Sequence, residues 1–528
     1  MIEKIKLLFN TVKYLKPIQI FYQLKYRLRK AGTLTDYNKA YSESELCYLS
    51  FKKLPPVLIS CLAENEFEFL NLKVKFTSGI DWNYEENGKL WNYNLQYANY
   101  LLQENLSVNT KKELILSLYQ KLDQGILPLE PYPASLRIIN SIRFISHNHL
   151  NEEALYSFIY AELDFLSKRP EYHILGNHLM ENGFALIMGG AFFSNKTWLS
   201  QGREILETEL NEQILSDGAH FELSPMYHQI IFFRLLELID WYSGWKEKED
   251  SFYNFLIHKA EKMRAWLEKI SFKSGEIPHF NDSAEGIAYS TNWLLNYADE
   301  LDLAKIDLPL GEAGYRSFNR GNYECKVDAG QVGPSYQPGH AHADALSFIL
   351  FYKNQPLFVE AGTSTYEIGK IRSRERSTSS HNTVVVNNTN QSQVWSGFRV
   401  AQRAIVQISQ DGSDRFSAEH NGYNKFGINH KRSFEFKDKQ LVIVDEAVGD
   451  KAKVKEFHLH FHPNIEIEES NNEPTLIILD KAFIRFEGAL SIDLQNYNMA
   501  NGYNNYRQAK KIVVVFEEVL ETTITFVD

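Results

Sequence analysis

The stretch "LPLGEAGY", Leu308 to Tyr315, divides two textures of sequence. Before it, "NTKKELILSLYQKL" (109–122), "EEALYSFIYAELDFL" (152–166) and "YNFLIHKAEKMRAWLEKI" (253–270) place apolar residues three and four apart. That is the spacing of one buried helix face. Turn clusters such as "EPYP" (Glu130–Pro133) and "LSKRPEY" (Leu166–Tyr172) separate the helices. After it come "LSFILFY" (346–352), "PLFVEAG" (356–362), "NTVVVNN" (382–388), "RAIVQIS" (403–409), "LVIVDEA" (441–447) and "TLIILD" (475–480). These are short, β-branched or aromatic, and bounded by Asn, Gly and Asp, which is how strands read. Helices followed by strands, with no β–α alternation, predict a helical domain over 1–310 and an all-β domain over 311–528.

With 528 residues, 44% of them hydrophobic, the chain can bury a sizeable core. A net charge of −11 argues against bulk nucleic-acid binding, so an acidic ligand would need locally concentrated positive charge. The three cysteines, Cys47, Cys61 and Cys325, have no ligand-like spacing and imply no disulfide framework. The N-terminal "MIEKIKLLFNTVKYLKPIQIFYQLKYRLRK" is basic, and Lys13 and Lys16 break its apolar residues. It shows no signal-peptide pattern and nothing long enough to span a membrane. An amphipathic helix docked on the domain is the reading preferred to one lying on a membrane or partner. Nothing in the sequence sets the oligomeric state.

Several polar residues stand where packing alone does not call for them. In "GNHLMENGFALIMGGAFF" (Gly176–Phe193), Asn177, His178 and Glu181 share one face of an otherwise apolar helix. In "FELSPMYHQIIFFRLLELIDWY" (221–242), Ser224 and Pro225 read as N-cap and first helical residue. Tyr227 then falls in the first turn, where the helix dipole favours a phenolate modestly, and His228 follows it. "PGHAHADALSFILFY" (Pro338–Tyr352) sets His340 and His342 on one side of an extended segment. Glu360 and His381 stand at other strand ends, so two imidazoles and a carboxylate from among His340, His342, Glu360 and His381 predict a divalent metal site, with zinc favoured by the nitrogen-rich set. Each of these residues taken alone reads equally well as core packing. The runs "KIRSRERS" (Lys370, Arg372, Arg374, Arg376) and "FRVAQRA" (Arg399, Arg403) would suit an anionic substrate.

Together these segments resemble the heparinase II/III-like polysaccharide lyases and the related alginate lyases. The helical segments "LWNYNLQYANYL", "PYPASLRIINSIRFI", "NHLMENGFALIMGG" and "SPMYHQ" carry the resemblance. So do "GPSYQPGHAHADALSF", "VEAGTSTYE", "RSTSSHNTVVVNNTNQSQVW" and "FRVAQRA" in the β half. The resemblance implies an incomplete (α/α) toroid followed by an antiparallel β-sandwich. It implies Tyr227 as proton carrier, His340 as catalytic histidine, and Asn177, His178 and Glu181 as the cluster near a uronate carboxylate. His342, Glu360 and His381 would be the metal ligands, with Glu360 where the family usually has aspartate. Arg137, Arg372, Arg376 and Arg399 would hold the acidic polysaccharide.

The reaction so implied is β-elimination at a hexuronic acid, with loss of the C5 proton and cleavage of the C4–oxygen bond. Two other readings stand beside it. A glycoside hydrolase on a helical toroid would need two carboxylates, for which Glu181 and Asp282 are the best pair. A non-catalytic carbohydrate-binding protein of surface-polysaccharide assembly is the other. The family resemblance implies periplasm or cell envelope, while the lack of a visible signal peptide leaves the cytoplasm open.

Overall fold

The computed structural model describes residues 2–28, 32–469, 476–479 and 481–527. Arg29 and Lys30 of the basic N-terminal segment, and Thr475 and Asp480 of "TLIILD", lie outside the described residues; Leu476–Leu479 form a strand.

The periodic segments of the first half form helices Val108–Asp123, Glu153–Lys168 and Asp250–Ile270. Their starts follow local chemistry. The Ser107 hydroxyl accepts from the Thr110 amide, and Pro131 opens the Pro131–Asn148 helix where a missing N–H costs nothing. The Gly176–Phe192 helix is almost wholly buried because it packs between the Pro131–Asn148 and Lys196–Gln213 helices. One feature departs from the all-helical expectation. Cys61–Ala63, Glu66–Phe69 and Leu72–Lys75 form a small antiparallel sheet. Its strands are three or four residues long, and Asn65, Leu70 and Asn71 make its turns at positive φ. The alternation in "EFEF" and "LKVK" is too short to outweigh the helical surroundings.

The second half is antiparallel β. A four-stranded sheet (Tyr315–Arg320, Tyr323–Asp328, Phe348–Tyr352, Gln355–Phe358) packs on a ten-stranded one. The longest pair in the large sheet, Ala482–Ala500 with Tyr506–Phe526, shifts register around Gly488, whose φ is 90°. Rings interleave between the layers, as where Phe318 stacks on Phe436 with centroids 3.9 Å apart.

The two halves meet tightly at the opening stretch. Asp217 Oδ2 accepts from the amides of Gly311 and Ala313, both at 3.0 Å, which pins the chain as it leaves the helices. Gly314 has φ +83°, and a Cβ there would collide with the backbone of Gly330, so only glycine fits. An apolar seam joins Trp266, Phe272 and Phe280 to Tyr315, Ile349 and Phe351. Phe272 and Phe351 stack at 3.7 Å, and each buried ring contributes about 1.5–3 kcal/mol. The cleft between the halves therefore has fixed walls.

Candidate active site and metal centre

The cleft encloses about 1060 Å³. Tyr227 and His340 both line it, their rings face to face with centroids 3.9 Å apart and planes at 30°. Tyr227 stands in the first turn of the Pro225–Ser243 helix, whose N-cap Ser224 accepts from the Tyr227 amide at 3.2 Å. The same Ser224 hydroxyl donates to the carbonyl of Asp282 at 2.7 Å, fixing the helix start against the 281–283 loop. The Tyr227 hydroxyl lies 3.2 Å from that of Tyr366. Burial, reinforced by Tyr503 and Tyr132, pushes the Tyr227 phenol well above its ordinary value. Desolvation thus outweighs the helix-start effect, and the resting side chain is the neutral phenol.

Asp282 is the hub behind this pair. His340 Nδ1 meets Asp282 Oδ2 at 3.0 Å, and His342 Nε2 meets Oδ1 at 2.8 Å. Arg372 grips both oxygens, with Nη2 at 2.6 Å from Oδ2. Burial opposes ionisation of Asp282, but the Arg372 charge and the bonds from His340, His342 and Arg372 prevail and hold its carboxyl well below the usual range. The two histidines sit in a loop rather than a strand, and what unites them is this shared carboxylate. With Nδ1 committed to Asp282, His340 turns Nε2 toward Glu222, 3.5 Å away.

Glu222 also accepts from the Asn177 amide at 3.1 Å, while its Oε2 has no hydrogen-bond partner. Burial pushes the Glu222 carboxyl up despite the opposing His340 charge. Asn177 lines the cleft with its buried side-chain oxygen unpartnered. His178 stacks on Tyr132 at 4.2 Å and bonds Glu171 through Nδ1 at 3.1 Å. Burial lowers the His178 pKa, but Glu171 more than reverses this and raises it.

One ligand atom each from His342, Asp344 and His381 lies within 4.8 Å of the other two. Each of the three keeps one buried polar atom without a partner: Nδ1 of His342, Oδ2 of Asp344 and Nε2 of His381. The second nitrogen of each histidine is held by a carboxylate, His342 by Asp282 and His381 by Glu360. Carboxylate–histidine pairs of this kind fix the tautomer and turn the free nitrogen toward a cation. Two imidazoles and a carboxylate fit zinc, so the residues present suit a divalent metal. Arg432 bridges the two loops concerned, donating to the carbonyls of Leu346 and Asn382 at 2.7 and 2.6 Å, with its charge met by Asp445.

Comparison with known sequences agrees with this architecture. Residues 134–303 match the family model described as heparinase II/III N-terminus, and residues 305–526 match heparinase II/III-like, C-terminal. The chain belongs to the heparinase II/III-like family. It is 28% identical over 338 residues to a heparin-sulfate lyase of Bacteroides stercoris, covering 58% of this chain and 48% of the relative. It is 26% identical over 321 residues to a heparin-sulfate lyase of Pedobacter heparinus, covering 55% and 46%. The chain spans about half the length of the curated relatives it matches. A crystal structure of heparinase III matches with a TM-score of 0.69 at 18% identity, over 96% of this chain and 89% of that one. That likeness gives the fold: an (α/α) toroid followed by an antiparallel β-sandwich.

Within this heparinase II/III-like chain, Tyr227, His340, Asn177, His178 and Glu181 all line the cleft. Several sequence expectations need correction. Arg137 is fully buried against Glu162 and the carbonyl of Gln96, and faces no cleft. Arg372 is committed to Asp282, and Arg376 donates to the carbonyls of Ala341 and Gly397. Of the four arginines expected to hold substrate, only Arg399 lines the cleft, exposed and over the Trp395 ring at 4.8 Å. Glu360 stands behind His381 and also takes the Ser347 hydroxyl, while Asp344 occupies the carboxylate place in the metal cluster. Arg234 takes both oxygens of Glu181, at 3.1 and 3.0 Å. With Glu181 and Asp282 each clamped by a guanidinium, the pair needed by a hydrolase is not free to flank a glycosidic bond.

Proposed function

We propose that this chain is a polysaccharide lyase cleaving a uronic-acid-containing polysaccharide by β-elimination. The stacked Tyr227–His340 pair in the cleft between toroid and sandwich carries the reading. The heparin-sulfate lyases among its relatives support it.

The C5 proton of a uronate is weakly acidic while the adjacent carboxylate is charged. Asn177, donating through its side-chain N–H group, and His340, donating through Nε2–H, bind that carboxylate and stabilise the charge that develops on it. The C5–H bond then breaks, its electrons form the C4–C5 double bond, and the C4–oxygen bond breaks. Tyr227 protonates the departing oxygen from its resting phenol form. Where the C5 proton lies on the same face as that oxygen, Tyr227 first gives its hydroxyl proton to water in the cleft, and the phenolate then takes the C5 proton and passes it to the departing oxygen. For the epimer with the proton on the other face, His178 is the base. A divalent cation, zinc by its donors, would be held by His342, Asp344 and His381. Bound there, it would supply a cross-link that keeps the His340 loop in place.

Incubating the protein with a panel of acidic polysaccharides and following the ultraviolet absorbance of an unsaturated uronate tests the reading. New reducing ends without that absorbance would replace the lyase with a hydrolase. Arg399 sits exposed at the rim, so Arg399→Ala is expected to raise KM by about 2–5-fold with kcat nearly unchanged, as for a solvent-screened ion pair. Steady-state kinetics on the best substrate of the panel checks this.

A further inference from the structure

Helices α1 (Ile2–Val12) and α2 (Pro17–Leu28), with the turn between them, are fastened to both domains by polar and aromatic contacts. Gln19 donates to the carbonyl of Ile174 at 3.1 Å, and Tyr26 to that of Pro170 at 2.7 Å, on the toroid side. On the sandwich side Trp395 Nε1 donates to the Thr11 hydroxyl at 3.1 Å, and Arg403 lies 4.0 Å over the Tyr14 ring. This fastening leaves much of the apolar surface outside. Ile5 and Phe9, four residues apart on α1, are 59% and 68% exposed; Phe21 and Leu28, seven apart on α2, are 60% and 86% exposed. These spacings put each pair on one helix face. None of the four lines the cleft.

The sequence of this segment is one-sided in charge. From residue 4 to residue 30 the sequence has Lys4, Lys6, Lys13, Lys16, Lys25, Arg27, Arg29 and Lys30 and no acidic residue, in a chain whose net charge is −11. Exposed apolar side chains near the exposed Lys6 and Lys13, in a segment of basic sequence, are complementary to the headgroup layer of an anionic bilayer, where rings and aliphatic chains enter the acyl boundary and cations meet lipid phosphates. No described helix is long and apolar enough to cross a membrane, so the pair would lie in the interface. We propose that the outer face of α1 and α2 is a docking surface for an anionic lipid bilayer. Leu8, Thr11 and Gln19 of the same helices line the cleft, so docking brings the cleft close to the bilayer.

The test uses the full chain, sedimented with vesicles of equal parts phosphatidylglycerol and phosphatidylcholine, and separately with pure phosphatidylcholine. Binding to the anionic vesicles is expected to be at least ~10-fold stronger and to fall with added salt. The variant Phe9→Glu/Phe21→Glu/Leu28→Glu is expected to lose that binding while keeping the wild-type melting temperature, since all three side chains are exposed. Failure to bind anionic vesicles, equal binding to neutral ones, or undiminished binding by the triple variant would each overturn the proposal. A wild-type dimer that the triple variant converts to monomer, without vesicle binding, would assign the face to a second copy of the chain instead.

Discussion

Tyr227→Phe is expected to lower turnover at least ~100-fold, the low end for losing a group that moves a proton in the transition state. The substitution removes one oxygen and leaves the ring against His340, so the stack and the helix start should survive. The lost contact is that with the Tyr366 hydroxyl at 3.2 Å, which is a local matter. KM should change much less than kcat, because Asn177 and His340 still bind the carboxylate. His340→Ala is the companion variant. It should also abolish turnover, but with weaker substrate binding, since the group removed faces the carboxylate. Product absorbance under saturating substrate separates the two patterns. Near-normal turnover by Tyr227→Phe on a substrate the wild type cleaves would remove Tyr227 from the proton transfer.

The change from helices to strands is legible in the sequence because it rests on hydrophobic period, and period reflects burial on each face. The pairing of Tyr227 with His340 is legible only through resemblance, since 113 positions of chain separate them and no local pattern predicts that they meet (227 to 340). Asp282 as a hub was missed because "NDS" lies in a short irregular loop, where neither helical nor strand spacing marks a side chain as buried. Asp344 is a different omission. It stands two residues beyond His342, as His342 stands two beyond His340, so the spacing that singles out the histidines also singles out the aspartate. The arginines show a limit of composition. A guanidinium that satisfies backbone carbonyls, as Arg376 does, and one that faces a cleft, as Arg399 does, belong to the same basic texture until burial separates them.

That assignment of Asp344 gives the second large effect. Purified protein is expected to hold about one zinc per chain on a three-residue donor set, and Asp344→Asn should abolish stoichiometric binding. The substitution exchanges an unpartnered carboxylate oxygen, the anionic donor of the cluster, for a neutral amide. Glu360→Gln should behave otherwise. Its amide oxygen can still accept from His381 Nδ1, so the ring stays oriented and the metal stays bound, with affinity lower by about 10–100-fold. Elemental analysis gives the content, and competition with a chelator gives the affinity. Thermal unfolding provides a readout independent of turnover. At a thousand-fold excess of metal over its Kd the folded state gains about 4 kcal/mol, so chelation should lower the melting temperature of wild type and Glu360→Gln but leave Asp344→Asn unmoved. If Asp344→Asn keeps its zinc while Glu360→Gln loses it, Glu360 is the ligand and Asp344 the bystander. If neither variant nor wild type holds metal and chelation changes no melting temperature, the three unpartnered atoms of His342, Asp344 and His381 serve something other than a cation.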